Sequence, residues 1–187
     1  IDNMIDTSVN YLGLELKSPF IAASSGYTAD LEKIVALARS GAGAIVLKSL
    51  FEEQISNEIG FLESVGADSP ESLDFLKRYV TDYSVGNYVK LIKDAKKESG
   101  IPVIASINCF SLSSWTDFAK EIEKAGADAL ELNIYSLPMN RESNSTEIES
   151  GYWNIVNQVT KELKIPVAVK ISDNFTNIGN FVNGLQG

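Results

Sequence analysis

The stretch Gly126-Ala-Asp-Ala-Leu-Glu-Leu-Asn-Ile-Tyr135 alternates apolar and polar side chains, as a β-strand does when its two faces meet different surroundings. Leu130, Leu132 and Ile134 share one face, whereas Glu131 lies on the other face with an asparagine and a tyrosine. The stretch opens with a glycine that suits the end of a helix, and a polar segment follows the stretch. We therefore predict a strand with one apolar face and one face that carries functional groups.

The same pattern recurs at residues 44–50, 102–108 and 166–172. In each stretch an apolar set alternates with a smaller and more polar set, so helices are expected to cover the apolar set. The polar set then lines the interior of a curled parallel sheet, and it includes one long polar side chain near each strand's carboxyl end: Lys48, Asn108, Asn133 and Lys170. Enzymes built on (β/α)₈ barrels keep their active sites at these ends.

Strands that alternate with helices along the whole chain predict a single α/β domain. A β-hairpin at 7–17 is expected to plug the bottom of the barrel, and 19–26 is predicted to form the first barrel strand. A complete (β/α)₈ barrel takes about 250 residues. The 187 residues are therefore expected to be an incomplete barrel domain that holds roughly the first five strand–helix units.

Two connections are unusually long for this fold class. Residues 51–70 are rich in glutamate and are predicted to form a lid or a partner surface, or else only a solvated surface, with separate helices following at 71–83 and 85–99. Residues 136–151 contain almost no apolar side chain and are expected to be mobile, with a helix following at 152–163. A further helix is predicted to open at Ser114.

Composition excludes several classes of function. The formal net charge of −9 disfavours binding to nucleic acid or to an anionic membrane, which leaves small ligands or proteins as partners, and a small-molecule substrate is expected. The single cysteine, Cys109, excludes an internal disulfide and favours the cytoplasm, and it is expected to be buried. Histidine is absent, so the usual neutral-pH base and the commonest metal ligand are missing, and no metal site is predicted.

The two lysines near strand ends are the sharpest chemical signal. Lys48 and Lys170 can balance an anionic ligand, stabilise developing negative charge or form a Schiff base. The alternative is that each pairs with Glu131, which is predicted to be an interior partner for a lysine, or reaches solvent. Asn108 and Asn133 suit the polar edge of a heterocycle, or else they cap a helix or fix a loop.

Four stretches together resemble the dihydroorotate dehydrogenase family of FMN-dependent (β/α)₈ barrels, and more closely its dihydroorotate dehydrogenase-like branch. They are residues 18–26, 41–49, 131–134 and 166–172. The resemblance implies FMN as cofactor and transfer of a hydride to it from dihydroorotate or a related dihydropyrimidine-like substrate. The cofactor-binding residues that it implies are Ala23, Ser24, Lys48, Ser49, Asn108, Asn133 and Lys170. The phosphate-binding loops of the family follow later strands.

The resemblance also implies a base in the loop after Asn133. The family carries a cysteine or serine directly before a proline there, whereas here Leu137 precedes Pro138 and the nearest hydroxyl is Ser136. Ser136 and Lys48 are therefore the predicted catalytic residues. Two other readings stay open, a Schiff-base lyase or aldolase on the same barrel and a barrel that binds a flavin or phosphate ligand without turnover. A homodimer is expected.

Overall fold

The computed structural model describes residues 5–66, 70–135 and 141–185, in which eight strands and six helices alternate. The strands are β1 (Val9–Tyr11), β2 (Leu14–Leu16), β3 (Ile21–Ala22), β4 (Ala44–Val46), β5 (Leu50–Phe51), β6 (Val103–Asn108), β7 (Ala129–Asn133) and β8 (Val167–Lys170). The helices are α1 (Leu31–Arg39), α2 (Glu52–Gly66), α3 (Pro70–Ser99), α4 (Leu112–Ala125), α5 (Ser145–Glu162) and α6 (Ile178–Leu185). A 3₁₀ turn at Gly26–Thr28 precedes α1.

The main sheet is parallel, with the strand order β3-β4-β6-β7-β8. Spatial order follows chain order, and helices connect the successive strands. β5 continues β4 and pairs with the upper half of β6, while β1 and β2 form a separate antiparallel hairpin. This arrangement confirms the predicted α/β class and the five neighbouring strands of a (β/α)₈ barrel.

Side chains alternate between the two faces of the sheet as the sequence predicts. The outer face, including Ile45 and Leu130, packs with the helices in the larger hydrophobic cluster. The inner face forms a smaller cluster in which Leu16 of the hairpin packs with residues of three strands, namely Ala44 and Val46, Ile104, and Ala129. Leu16 is almost fully buried, which confirms that the hairpin plugs the amino-terminal end of the barrel interior.

Gly43 marks the tightest backbone approach in this part of the fold. Its N–H donates to the carbonyl of Phe20 at 2.7 Å, and a Cβ atom placed on it would lie 2.0 Å from the carbonyl oxygen of Ser18. Only glycine fits this position, so the segment before β3 can lie directly against the start of β4.

A β-bulge interrupts the second barrel strand between β4 and β5. Val46 pairs with Ile104 and Leu50 pairs with Ile107, so three residues on this strand oppose two on β6. The hydroxyl of Tyr88, from α3, fills the gap in the ladder: it accepts from the Ser106 N–H at 2.8 Å and donates to the Ser106 carbonyl at 2.9 Å. Burial raises the pKa of Tyr88, which keeps the hydroxyl protonated and able to donate.

Residues 52–66 of the predicted lid or partner surface form a helix, α2, and its role as a lid or partner surface stays a prediction. Its apolar side chains recur at helical spacing, as Ile55, Ile59 and Leu62, and pack in the outer cluster. The two helices predicted at 71–83 and 85–99 are one continuous helix, α3, because Ser84 and Gly86 are tolerated within it.

Two further helix starts differ from the predictions. Ser111, rather than Ser114, caps α4: its hydroxyl accepts from the Ser114 N–H. α5 begins at Ser145, seven residues before the predicted start, because Asn144 and Glu147 form a capping box. The expected mobile segment is therefore helical from Ser145 onward, and its first residues, 136–140, lie outside the described residues. None of the described helices has both the length and the apolar composition needed to cross a membrane.

Candidate active site

Five polar side chains, one from each strand position of the sheet, form a hydrogen-bonded row across the inner face. They are Ser24 after β3, Ser49 at the bulge, Ser106 on β6, Glu131 on β7 and Lys170 on β8. The hydroxyls of Ser24 and Ser49 lie 3.3 Å apart, and those of Ser49 and Ser106 lie 2.7 Å apart. The same oxygen of Glu131, Oε1, accepts from Ser106 and from Lys170, each at 2.8 Å. We call these five residues the inner-face row.

The row is buried in its middle and most exposed at its Lys170 end. Ser106 is fully buried and Ser49 nearly so, whereas the side chains of Glu131 and Lys170 are 15% and 43% exposed. Solvent screens the ion pair at its exposed end, so its main effect is to position the Lys170 ammonium. The prediction that Glu131 partners a lysine is confirmed.

A second polar layer lies one step closer to the carboxyl ends of the strands. The Asn108 amide donates to the Asn133 carbonyl at 2.7 Å, which bridges β6 and β7 beyond the last ladder bonds. A cleft of about 410 Å³ opens at these two residues, and aromatic side chains form part of its wall: Phe51, Phe110 and Tyr135. Phe110 and Tyr135 are more than half exposed, so their ring faces are accessible at the cleft.

The structure does not bring Lys48 into the inner-face row. Its exposed side chain lines a cleft on the helix side of the sheet, together with Gln54 and with Asn87 of α3. The predicted inward position of Lys48 is therefore wrong, and the bulge is the reason, since one extra residue reverses the side-chain alternation and turns Ser49 inward instead. The role of Lys48 at the substrate stays a prediction.

The other predicted site residues occupy three settings. Ala23 is exposed beside the half-buried Ser24, so the chain after β3 presents small side chains to an approaching ligand. Asn108, Asn133 and Lys170 share the inner face as predicted, because Asn133 pairs directly with Lys170 in the sheet register. Ser136, the predicted base, lies outside the described residues.

Two groups of importance were not singled out from the sequence. Ser106 lies two residues before Asn108 in the same strand, so the strand alternation places both on the inner face. The sequence therefore contained a signal for Ser106. Tyr88, which holds the bulge, comes from a helix, so no strand pattern reveals it.

Cys109 and Glu52 lie just beyond the second polar layer. Burial raises the pKa of the Cys109 thiol, and the negative charge of Glu52 raises it further, so the buried thiol stays protonated. Burial opposes ionisation of Glu52, but hydrogen bonds from the Phe110 N–H, the Ser114 hydroxyl and Ser111 outweigh it and lower the pKa of Glu52. Glu52 is thus a structural anion at the amino terminus of α4.

The inner-face row and the second polar layer suit a planar ligand with polar edges. The asparagine amides offer donors and acceptors, Lys170 offers a cation, Ala23 offers close approach, and the exposed rings offer apolar faces. These are the groups that a flavin ring requires at its edges and faces. Within the described ranges, no group of three or more histidine, cysteine, aspartate or glutamate side chains is placed to hold a metal ion.

Comparison with known proteins identifies one family. The family model for dihydroorotate dehydrogenase matches residues 6–183. The catalytic subunit of dihydroorotate dehydrogenase B (NAD(+)) from Methanosarcina acetivorans is 32% identical over 183 residues, which cover 90% of this chain and 54% of that protein. The subunit of the same name from Thermoplasma volcanium is 27% identical over 196 residues, covering 94% of this chain and 57% of that protein. The chain thus spans about half the length of these relatives.

Among solved structures, an IMP dehydrogenase/GMP reductase-like protein from Corynebacterium glutamicum superposes with a TM-score of 0.50 at 16% identity. The match covers 96% of this chain and 46% of that one. At this identity the likeness shows the barrel fold alone.

Proposed function

The chain belongs to the dihydroorotate dehydrogenase family, and on that premise we propose that the whole protein is an FMN-dependent oxidoreductase acting on CH–CH bonds. The proposed substrate is dihydroorotate or a related dihydropyrimidine-like compound. The observation that carries the proposal is the family match over residues 6–183, which includes every residue of the inner-face row and of the second polar layer.

The geometry supports a flavin at the carboxyl ends of the strands. Lys170, Asn108 and Asn133 would hold the polar edges of the ring, while Ala23 and Ser24 would allow it close approach. When bound, FMN supplies two-electron redox chemistry, accepting a hydride as a CH–CH bond of the substrate becomes a double bond. The chain's own part is to orient ring and substrate, to exclude water and to take the proton that leaves the neighbouring carbon.

Glu131 has a positioning role in this proposal. Its carboxylate holds the Lys170 ammonium at the mouth, while the buried Ser106 hydroxyl fixes the orientation of that carboxylate. A cation fixed in this way stabilises negative charge that develops on a bound ring or substrate. Ser49 and Ser24 extend the support along the sheet to β3.

The proton acceptor is proposed to be Ser136, in the segment that follows Tyr135. The family's base position holds Leu137, which cannot accept a proton, so the nearest hydroxyl is the candidate. A serine acts as a base only when closure of its loop desolvates it beside a cation or a water chain. For this reason we propose that dihydroorotate reduces the flavin slowly or not at all, and that a related dihydropyrimidine is the true substrate.

One alternative function receives less support from the geometry. A Schiff-base lyase needs a neutral lysine amine as nucleophile, whereas Lys170 donates to the Glu131 carboxylate and is exposed to water. Lys48 lies on the helix side of the sheet. Binding of flavin without turnover remains the second candidate, and the leucine at the family's base position favours it.

Anaerobic stopped-flow spectrophotometry tests the proposed reaction. The whole protein, carrying FMN, is mixed with dihydroorotate and with other dihydropyrimidines, and bleaching of the flavin is followed. We expect slow bleaching by dihydroorotate, faster bleaching by one related compound and loss of that reaction in Ser136→Ala. Fast reduction by dihydroorotate that survives Ser136→Ala would contradict both the base and the substrate.

The partners and location complete the proposal. We propose a cytoplasmic homodimer that binds neither nucleic acid nor membranes, in keeping with the net charge of −9 and the single cysteine.

A further inference from the structure

The cleft at Asn108 and Asn133 has a wall that is aromatic and acidic. Three rings, those of Phe51, Phe110 and Tyr135, line it together with the carboxylate of Glu53. Glu53 is exposed at the edge of the cleft. Among the described residues that line this cleft, none is a lysine or an arginine. A substrate that enters here therefore meets rings, amides and a negative charge.

An electropositive group of the backbone lies beside the cleft, at the amino terminus of α4, and a carboxylate of the protein already occupies it. Glu52 accepts from the N–H groups of Phe110 and Ser111, at 2.8 and 3.1 Å. It also accepts from the hydroxyls of Ser111 and Ser114, at 2.9 and 2.7 Å. Groups of this kind at the start of a helix are the ones that bind an anionic ligand. Here they are satisfied without a ligand.

The lysine of the inner-face row also has a carboxylate of its own. Lys170 donates to Oε1 of Glu131 at 2.8 Å, and the buried Ser106 hydroxyl donates to the same oxygen. The pair as a whole carries no net charge, so it does not attract an anion from solvent. The fixed ammonium can still stabilise negative charge that develops directly beside it during a reaction. Lys48 lines a different cleft, on the helix side of the sheet.

Asn133 offers an uncharged binding edge in the same place. Its side chain is half-buried, and among the residues that the structure describes its amide group has no hydrogen-bond partner. A primary amide presents donors and an acceptor side by side, which match the C=O and N–H of a cyclic amide. A carboxylate has acceptors only, so it would leave the amide oxygen facing another acceptor.

We propose that the substrate of this site is uncharged, namely a dihydropyrimidine that carries hydrogen or an alkyl group where dihydroorotate carries its carboxylate. The inference rests on the proposed function. Both electropositive groups already hold internal carboxylates, and Glu53 adds a negative charge, so the site opposes a substrate carboxylate. The rings favour an apolar substituent. The reaction is unchanged: one carbon gives a hydride to FMN, its neighbour loses a proton, and the bond between them becomes a double bond.

Isothermal titration calorimetry of the whole, FMN-loaded protein with uracil and with orotate tests the proposal. These two rings differ only in the carboxylate, and the measurement involves no turnover. We expect uracil to bind at least about tenfold more tightly than orotate, a difference of about 1.4 kcal/mol. The difference should shrink as the sodium chloride concentration is raised to about 1 M, where the screening length falls to about 3 Å.

Reversal of one charge at the edge of the cleft tests the source of the discrimination. Glu53→Lys should tighten the binding of orotate several-fold and leave the binding of uracil nearly unchanged. Glu58→Lys is the matched control, because Glu58 is an exposed glutamate of the same helix that does not line the cleft. It should leave the ratio of the two affinities unchanged. Circular dichroism verifies that both variants stay folded.

Three results would overturn the proposal. The first is orotate binding as tightly as uracil or more tightly, which would show that a cation from elsewhere in the whole barrel faces the cleft. The second is a flavin-loaded protein that binds neither ring, and the third is a preference that neither salt nor Glu53→Lys alters. Failure of the proposed function is distinguishable from all three, because it appears as a protein that takes up no FMN.

Discussion

Glu131 joins the buried middle of the inner-face row to its exposed end, since one of its oxygens accepts from the buried Ser106 and from the exposed Lys170. Two residues of opposite charge therefore lie together at the mouth of the barrel. Their effects on a bound redox group must differ in sign, which makes the pair a sensitive probe of whether the group binds there.

We expect Lys170→Ala to weaken retention of FMN and to lower its reduction potential, because removing a cation disfavours added negative charge nearby. Glu131→Gln keeps the shape of the side chain but removes an anion, so it should raise the potential. Shifts on the order of 30 mV, equivalent to about 1.4 kcal/mol for a two-electron couple, are expected in each direction. Spectroelectrochemistry measures both. Lys97→Ala is the control and should leave the reduction potential unchanged. Equal potentials in all variants would show that Lys170 does not lie at the FMN site.

Gly43 supports a second prediction about a single residue. Gly43→Ala forces a Cβ atom against the Ser18 carbonyl and should lower the free energy of unfolding by roughly 3 kcal/mol, the upper end for overpacking. Gly60→Ala, within α2, meets open space and should raise it by up to about 1 kcal/mol. Urea titration of the two variants measures the difference, and equal midpoints would show that the segment before β3 moves freely.

The residues of the site were predictable from the sequence wherever the strand alternation is unbroken. Asn108, Asn133 and Lys170 follow from parity alone. The position of Lys48 could not be predicted in this way, because a bulge shifts the strand register by one residue. The bulge depends on the hydroxyl of Tyr88, which lies in a helix forty residues later in the chain. Long-range hydrogen bonds of this kind leave no periodic trace.

At the scale of elements, one carboxylate links the start of α2 to the amino terminus of α4. Glu52 is the first residue of α2. Its carboxylate accepts hydrogen bonds from the backbone N–H groups of Phe110 and Ser111, just before α4, at 2.8 and 3.1 Å. A negative charge at the amino terminus of a helix is stabilising. The sequence showed an acidic stretch here but not that Glu52 accepts hydrogen bonds from the start of a helix about sixty residues later. Propensity and spacing also missed the true starts of α4 and α5, since local capping bonds decided them.

We expect Glu52→Gln to reduce the free energy of unfolding by about 2 kcal/mol near neutral pH, within the range for hydrogen bonds to a charged group. The pKa of Glu52 is lowered in the folded state, so its contribution is present above the usual value of 4.5 and is lost as the pH falls through the folded value. The difference between wild type and variant should therefore shrink in acid. Urea titrations at several pH values measure it, with the neighbouring, exposed Glu53→Gln as control. A constant difference would contradict the assigned pKa.

At the scale of the molecule, the curled sheet has two open edges. Among the described residues, β3 and β8 each pair on one side only, and the residues of β8 are half-buried or exposed while those of β4 are buried. The five-strand architecture could be predicted because helix and strand periods alternate without interruption. The way in which the two edges are covered could not be predicted from the sequence, because it depends on contacts outside the repeated strand–helix unit.

We expect a polypeptide of only these 187 residues to self-associate and to unfold over a broad range of temperature, because unpaired parallel edges invite further pairing. Size-exclusion chromatography and calorimetry check this. A monomer with a sharp, cooperative transition would show that the half-barrel is a complete folding unit.

The visible absorption spectrum of the purified whole protein, with identification of any ligand released on denaturation, tests the central claim most directly. The account predicts an oxidised flavin spectrum, close to one equivalent of FMN per chain and no adduct after borohydride treatment with carbonyl compounds. A colourless protein that acquires no flavin spectrum when incubated with FMN would contradict it.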